Sequence, residues 1–169
     1  MAKGERSIYI VRHAIAAERG EKWPDDAKRP LTPDGAARMR DAVQGLEALE
    51  VEIDVVCTSP LVRATETAEI LVRGLSPKPG LLSVPALAPG SAPARMAEAI
   101  STHAPKQAVA VVGHEPGLGE FAAWLIGARQ AIPLKKGGVI RIDVPEWPPA
   151  KQSGTLIWAA TPKMLRSLD

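Results

Sequence analysis

The stretch SIYIVRHA, residues 7–14, decides how the rest of the chain is read. Its centre, Ile8-Tyr9-Ile10-Val11, is a short apolar run rich in β-branched and aromatic residues. Such a run reads as a strand buried inside an α/β sheet. Ligands of these sheets bind beyond the carboxyl ends of the strands, where this strand delivers Arg12 and His13. Taken alone, the pair reads as a surface cation and an ordinary loop histidine; the remainder of the chain changes that reading.

Two further runs repeat the pattern. Residues 53–58 (IDVVCT) and 108–112 (AVAVV) are predicted as buried strands, followed by Ser59 with Arg63 and by Gly113-His114-Glu115. Residues 15–30 carry much charge and Trp23-Pro24-Asp25-Asp26 without a sustained period, which predicts a loop over the sheet edge, bordering the presumed site. Thr32-Pro33-Asp34 has the grammar of a helix start, a hydroxyl cap followed by proline, and Ala36, Met39, Val43, Leu46 and Leu49 then recur at helical spacing. Ser59-Pro60 repeats that signal for a helix with Leu61, Ala64, Ala68, Leu71, Val72 and Leu75 on its apolar face. Arg63 falls in the first turn, off that face.

Residues 76–93 are dense in proline, glycine and serine, interrupted at 81–84 (LLSV) by a predicted edge strand. Residues 94–103 read as a helix. Pro116 is expected to open another through Ile126, burying Leu118, Phe121, Ala122, Leu125 and Ile126. Lys135-Lys136-Gly137-Gly138 is a turn into residues 139–144, where Arg141 and Asp143 alternate with apolar residues, and residues 155–160 complete the sheet.

Composition sets the bounds. With 169 residues, 46% of them hydrophobic, the chain fits one globular domain over residues 1–169. Lysine and arginine (21) exceed aspartate and glutamate (19) by two and are scattered, so neither a nucleic-acid stripe nor a polybasic membrane anchor is expected. The single Cys57 lies in an apolar run, reads as an inert buried thiol, and suits a reducing compartment. With no signal peptide or spanning segment in view, a cytoplasmic protein is expected, and a monomer.

Strand-to-helix order implies parallel strands, so the three polar strand ends meet at one edge of the sheet. Two arginines, two histidines and the helix starts at Ser59-Pro60 and Glu115-Pro116 then surround one space. Guanidinium groups, imidazoles and helix amino termini all favour a phosphoryl group.

These residues resemble the histidine phosphatase superfamily, with its phosphoglycerate mutase-like fold, and within it the small SixA-type phosphohistidine phosphatases. The matching stretches are Val11-Arg12-His13-Ala14, Arg29-Pro30-Leu31-Thr32 with Gly35, Ser59-Pro60-Leu61 with Arg63-Ala64 and Thr67-Ala68, Val112-Gly113-His114, and Leu156-Ile157-Trp158. The resemblance implies a three-layer α/β sandwich, a mostly parallel central sheet with helices on both faces. It implies that His13 is the catalytic nucleophile, that Arg12, Arg63 and His114 bind the phosphate, and that neither metal nor cofactor is needed. The implied substrate is a phosphorylated protein of the histidine-phosphotransfer type; a small phosphate ester, a sugar phosphate or nucleotide, is the alternative.

Two departures stand out. Arg-His-Gly is the commoner motif, whereas residue 14 here is alanine, which requires an ordinary backbone conformation at that position. Where relatives place a proton-donating glutamate, this chain offers Ala86, and Glu115 is open to two readings, a replacement acid or a helix cap. A leaving group as good as phosphohistidine tolerates the loss better than a sugar alkoxide does. Two other classes were weighed against this reading. An idle phosphate-binding regulatory domain fits poorly with an intact His13. A metallohydrolase using His13, His103 and His114 lacks ligand spacing, and His103 falls late in a predicted helix, where exposure is expected.

Overall fold

A computed structural model describes residues 5–104 and 106–168. Six strands, β1 (Arg6–Arg12), β2 (Val55–Thr58), β3 (Gly80–Ser83), β4 (Ala108–Gly113), β5 (Val139–Val144) and β6 (Thr155–Ala160), form one sheet. Their order is β3-β2-β4-β1-β5-β6. The first four in that order run parallel, and β5 is antiparallel to both β1 and β6. The sheet is thus mostly parallel, as expected, with β5 its one reversed strand. Thr58 and Val11 both pair with Val112, so β1, β2 and β4 end level with one another.

Among the described residues five α-helices cover the sheet: α1 (Pro33–Ala48), α2 (Val62–Gly74), α3 (Pro93–His103), α4 (Gly117–Ile126) and α5 (Pro162–Arg166). Alternation along β1 divides the core. Ile8 and Ile10 pack with Met96, Ile100, Leu118, Phe121 and Leu125 from α3 and α4, whereas Tyr9 and Val11 pack with Met39, Val43, Leu46, Ala64, Leu71 and Leu165 from α1, α2 and α5. This is the three-layer α/β arrangement that the sequence implies. Cys57 is fully buried in the first cluster, and burial pushes its thiol up to about 12, so it stays protonated.

Three helix ends are formed differently from the sequence reading, and the strands expected at 53–58 and 81–84 run instead over Val55–Thr58 and Gly80–Ser83. Thr32 caps α1 as expected, its hydroxyl accepting from Gly35 N. Ser59, however, does not cap α2; Leu61 holds that position and the helix starts at Val62, because the Ser59 hydroxyl is committed elsewhere. Pro116 precedes α4 rather than opening it. Leu49, counted on the apolar face of α1, ends the helix exposed. The sequence reading has no counterpart of α5, which is too short to show a period.

That short helix sets a steric limit. A Cβ on Gly45 of α1 would overlap the Leu165 carbonyl oxygen of α5. Backbone cannot yield as a flexible side chain does, so Gly45→Ala is expected to cost about 2 kcal/mol despite alanine's better helix propensity. A urea-unfolding midpoint no lower than that of the unmodified protein would contradict this.

Candidate active site

The level ends of β1, β2 and β4 open into a cavity of about 430 Å³. Arg12, His13, Arg63 and His114 all line it, joined by Ala16, Glu18, Arg19, Asp26, Arg29, Pro89, Glu115 and Lys136. The four residues singled out from sequence therefore come together. The two imidazoles stand 5.3 Å apart between ring centroids, tilted by 53°. They lie recessed, each 6% exposed, and Arg63 is 3% exposed. His103 ends α3 exposed and does not line the cavity. Among the described residues no three His, Cys, Asp or Glu side chains come together as metal ligands would.

Hydrogen bonds orient each group. His13 Nδ1 lies 2.7 Å from the Ala14 carbonyl oxygen. A carbonyl only accepts, so Nδ1 carries the proton and the neutral ring keeps its lone pair on Nε2. Ala14 itself is fixed by its N–H donating to Thr67 Oγ1 and keeps a negative φ, so glycine is not required there. Arg12 Nη1 donates to the Leu134 carbonyl at 2.9 Å. Ser59 Oγ lies 2.8 Å from His114 Nε2 while accepting from Leu61 N. A serine hydroxyl can do both and donate its own proton to Nε2, leaving the His114 proton on Nδ1.

Arg63 is held by Asp26, with Nη1 donating to its backbone carbonyl at 2.8 Å and Nη2 to its carboxylate at 3.0 Å. The same carboxylate receives Arg29 Nε at 2.9 Å and pairs with Arg19. Burial alone would raise the Asp26 carboxyl, but its bonds to Arg29 and Arg63 hold it below the usual carboxylate range. Asp26 is the organising residue that the sequence reading left inside an unassigned loop. The only local signal was its spacing of three from Arg29.

Three buried donors on lining residues lack any partner: Arg12 Nε, Arg63 Nε and His114 Nδ1. Buried donors are rarely left unpaired. The cavity wall bears five cationic side chains against three carboxylates. It is thus built for an anion rich in acceptor oxygens.

Both rings are electrically tuned in the same direction. Burial, followed by the Arg63 and Arg12 charges, lowers His13 to about 4 against the Ala14 hydrogen bond. Burial and then Arg63 lower His114 to about 3. Groups whose folded pKa is depressed favour the native state while neutral, so this contribution is present above about pH 6.5 and is lost as pH falls toward 4 and then 3. Both ring signals are therefore expected to stay those of neutral imidazole well below pH 6.5, with thermal stability falling over the same acid range. An NMR titration showing either ring charging near its ordinary value would contradict this.

Two expectations need correction. Ala86 is not at the cavity; it sits in the core within a 3-10 turn (Pro85–Leu87), and Pro89 is the residue of that segment that reaches the wall. Neither carries a proton to give. Glu115 resolves as a cap: its carboxylate accepts from Gly119 N at 2.7 Å and Leu134 N at 3.4 Å. It thereby occupies the amino end of α4 that had been expected to face the ligand.

A mostly parallel α/β sheet with this anion-directed pocket at its strand ends suits the binding of a phosphoryl group. The sequence profile of the histidine phosphatase superfamily (branch 1) matches residues 8–83. An uncharacterized protein of Picosynechococcus sp. is 38% identical over 138 residues, which cover 79% of this chain and 82% of that protein. The fold is similar to that of the protein histidine phosphatase SixA complexed with tungstate, with TM-score 0.81, 24% identity, and 93% and 97% of the two chains covered. It is also similar to that of phosphoglycerate mutase from Bacillus anthracis, with TM-score 0.73, 13% identity, and 98% and 97% covered. The chain belongs to the histidine phosphatase superfamily.

Proposed function

We propose that the protein is a phosphohistidine phosphatase that works through a phosphorylated His13, without a metal. The observation that carries this reading is the set of three unpartnered buried donors, Arg12 Nε, Arg63 Nε and His114 Nδ1, on residues that line the same cavity as His13 with its free Nε2. In the reaction, the Nε2 lone pair attacks phosphorus in line, the bond from phosphorus to the leaving group breaks, and that group departs with its electron pair. Water then attacks the phosphohistidine, releasing inorganic phosphate and restoring neutral His13. Arg12, Arg63 and His114 hold the phosphoryl oxygens, and these charge-assisted contacts strengthen as negative charge spreads over them. The arriving dianion reverses the electrostatics at His114, favouring its imidazolium, while His13 must stay neutral to attack.

Protein phosphohistidine is the favoured substrate for two reasons. The wall segment that would carry a proton donor presents Pro89, and of the three cavity carboxylates Asp26 and Glu115 are tied in hydrogen bonds while Glu18 stands exposed at the rim. An alkoxide leaving group benefits from a general acid by about 10²–10⁴-fold, whereas the imidazole of phosphohistidine leaves more readily. The recessed imidazoles also suit a phosphoryl group carried on an extended side chain. The name of the SixA structure, a protein histidine phosphatase, supports the same reading. The test compares kcat/KM on a histidine-phosphorylated phosphotransfer domain with that on sugar phosphates and nucleotides. A clear preference for the small esters overturns the assignment.

A further inference from the structure

Next to the catalytic cavity lies a separate slot of about 160 Å³, formed where α1, the 135–138 turn and α5 meet. Five cationic side chains line it, Arg38, Lys135, Lys136, Lys163 and Arg166, and no carboxylate does. Asp34 neutralises Arg38 from outside the slot, at 2.9 Å; the other four have no ion pair among the described residues. In a chain whose net charge is only +2 this is a strong local bias. The floor is apolar, made by Ala14, Ile15, Met39 and Pro162.

The slot and the catalytic cavity are physically joined. Lys136 lines both, and Ala14, the residue after His13, forms part of the slot floor. The turn is fastened to the end of β1 by Gly137 N, which donates to the carbonyls of Arg12 and His13. Whatever rests in the slot therefore adjoins the catalytic cavity.

We infer that this slot docks the acidic surface surrounding the phosphorylated side chain of a partner protein. The inference rests on the phosphoprotein reading above and adds how the partner is recognised. An apolar floor under a cationic rim fits an aliphatic side chain flanked by carboxylates. A tightly held free phosphate would call for buried donors awaiting oxygens. The catalytic cavity has three such donors and the slot has none among the described residues. Charges at the rim of an interface act chiefly on encounter and on salt dependence, which sets the signature to look for.

The test uses a phosphotransfer domain phosphorylated on histidine with acidic residues flanking it, and phosphoramidate as the small substrate. The double variant Lys163→Glu with Arg166→Glu is compared with the unmodified enzyme, and Lys135→Glu on the turn repeats the comparison without touching α5. The expected result at low salt is a KM for the phosphoprotein raised about tenfold, a flattened salt dependence, and unchanged kcat and phosphoramidate turnover. Equal loss on both substrates, or an unchanged phosphoprotein KM, overturns docking and leaves the phosphatase assignment standing. So does a variant effect confined to a diphosphorylated small ester, or to binding of phosphatidylserine vesicles. An unmodified enzyme that turns over phosphoramidate but not the phosphoprotein overturns both readings.

Discussion

Replacing His13 with alanine is expected to lower turnover by at least about 10⁴-fold and to abolish a covalent label. The Ala14 carbonyl fixes the proton on Nδ1, burial and two arginines keep the ring neutral, and Nε2 is left with the lone pair that the proposed attack needs. No other lining side chain combines a neutral lone pair with that placement, since the ring of His114 is tied to Ser59 through Nε2. Brief exposure to labelled substrate followed by an alkaline quench should place the label on His13, stable in base and labile in acid. Inorganic phosphate should still bind the variant, because Arg12, Arg63 and His114 remain. Label on any other residue, or turnover retained in the variant, would refute the assignment.

The second large effect is expected at Arg63. Removing its guanidinium in Arg63→Ala takes away a donor aimed where charge develops, and losses of about 10²–10³-fold in kcat are typical of such donors. Arg63→Lys should rescue little, since an ammonium cannot hold Asp26 and bridge two phosphoryl oxygens at once. Asp26→Asn should act through Arg63 and be milder, about tenfold, because the Asp26 backbone carbonyl still receives Nη1. The distinguishing measurement is phosphate affinity, which Arg63→Ala should weaken severely and Asp26→Asn only modestly. Equal losses in the two variants would show Asp26 to touch substrate itself.

What could be read from sequence followed from strong local physics. Three β-branched runs, each leading into a helix, dictate strands that point one way, and residues placed just past them must share an edge; hence Arg12, His13, Arg63 and His114 line one cavity. The residues misread are those whose partners arrive from elsewhere. Asp26 looks like any loop acid until the chain folds back over α2, because the Arg63 it anchors is 37 positions away. Ser59 has the sequence signature of a cap, yet His114, from a different strand, claims its hydroxyl. Ala86 stands where the resemblance puts a proton-donating glutamate, but the turn over residues 85–87 holds it in the core, and Pro89 is the residue at the wall. Glu115 had two readings, and only the proximity of Gly119 and Leu134 chose between them.

The reversed direction of β5 shapes how the protein can diverge. Because β5 runs against β1, the connection entering β5 arrives at the carboxyl end of β1, so one turn reaches the cavity there. Within residues 135–138 the turn is pinned through its main chain, Gly137 N donating to the carbonyls of Arg12 and His13 and Gly138 O accepting from Arg12 N, while the side chains at 135 and 136 are exposed. Position 135 is thus open to exchange without touching the cavity, whereas Lys136, which lines the cavity as well and helps to keep His13 neutral, is not.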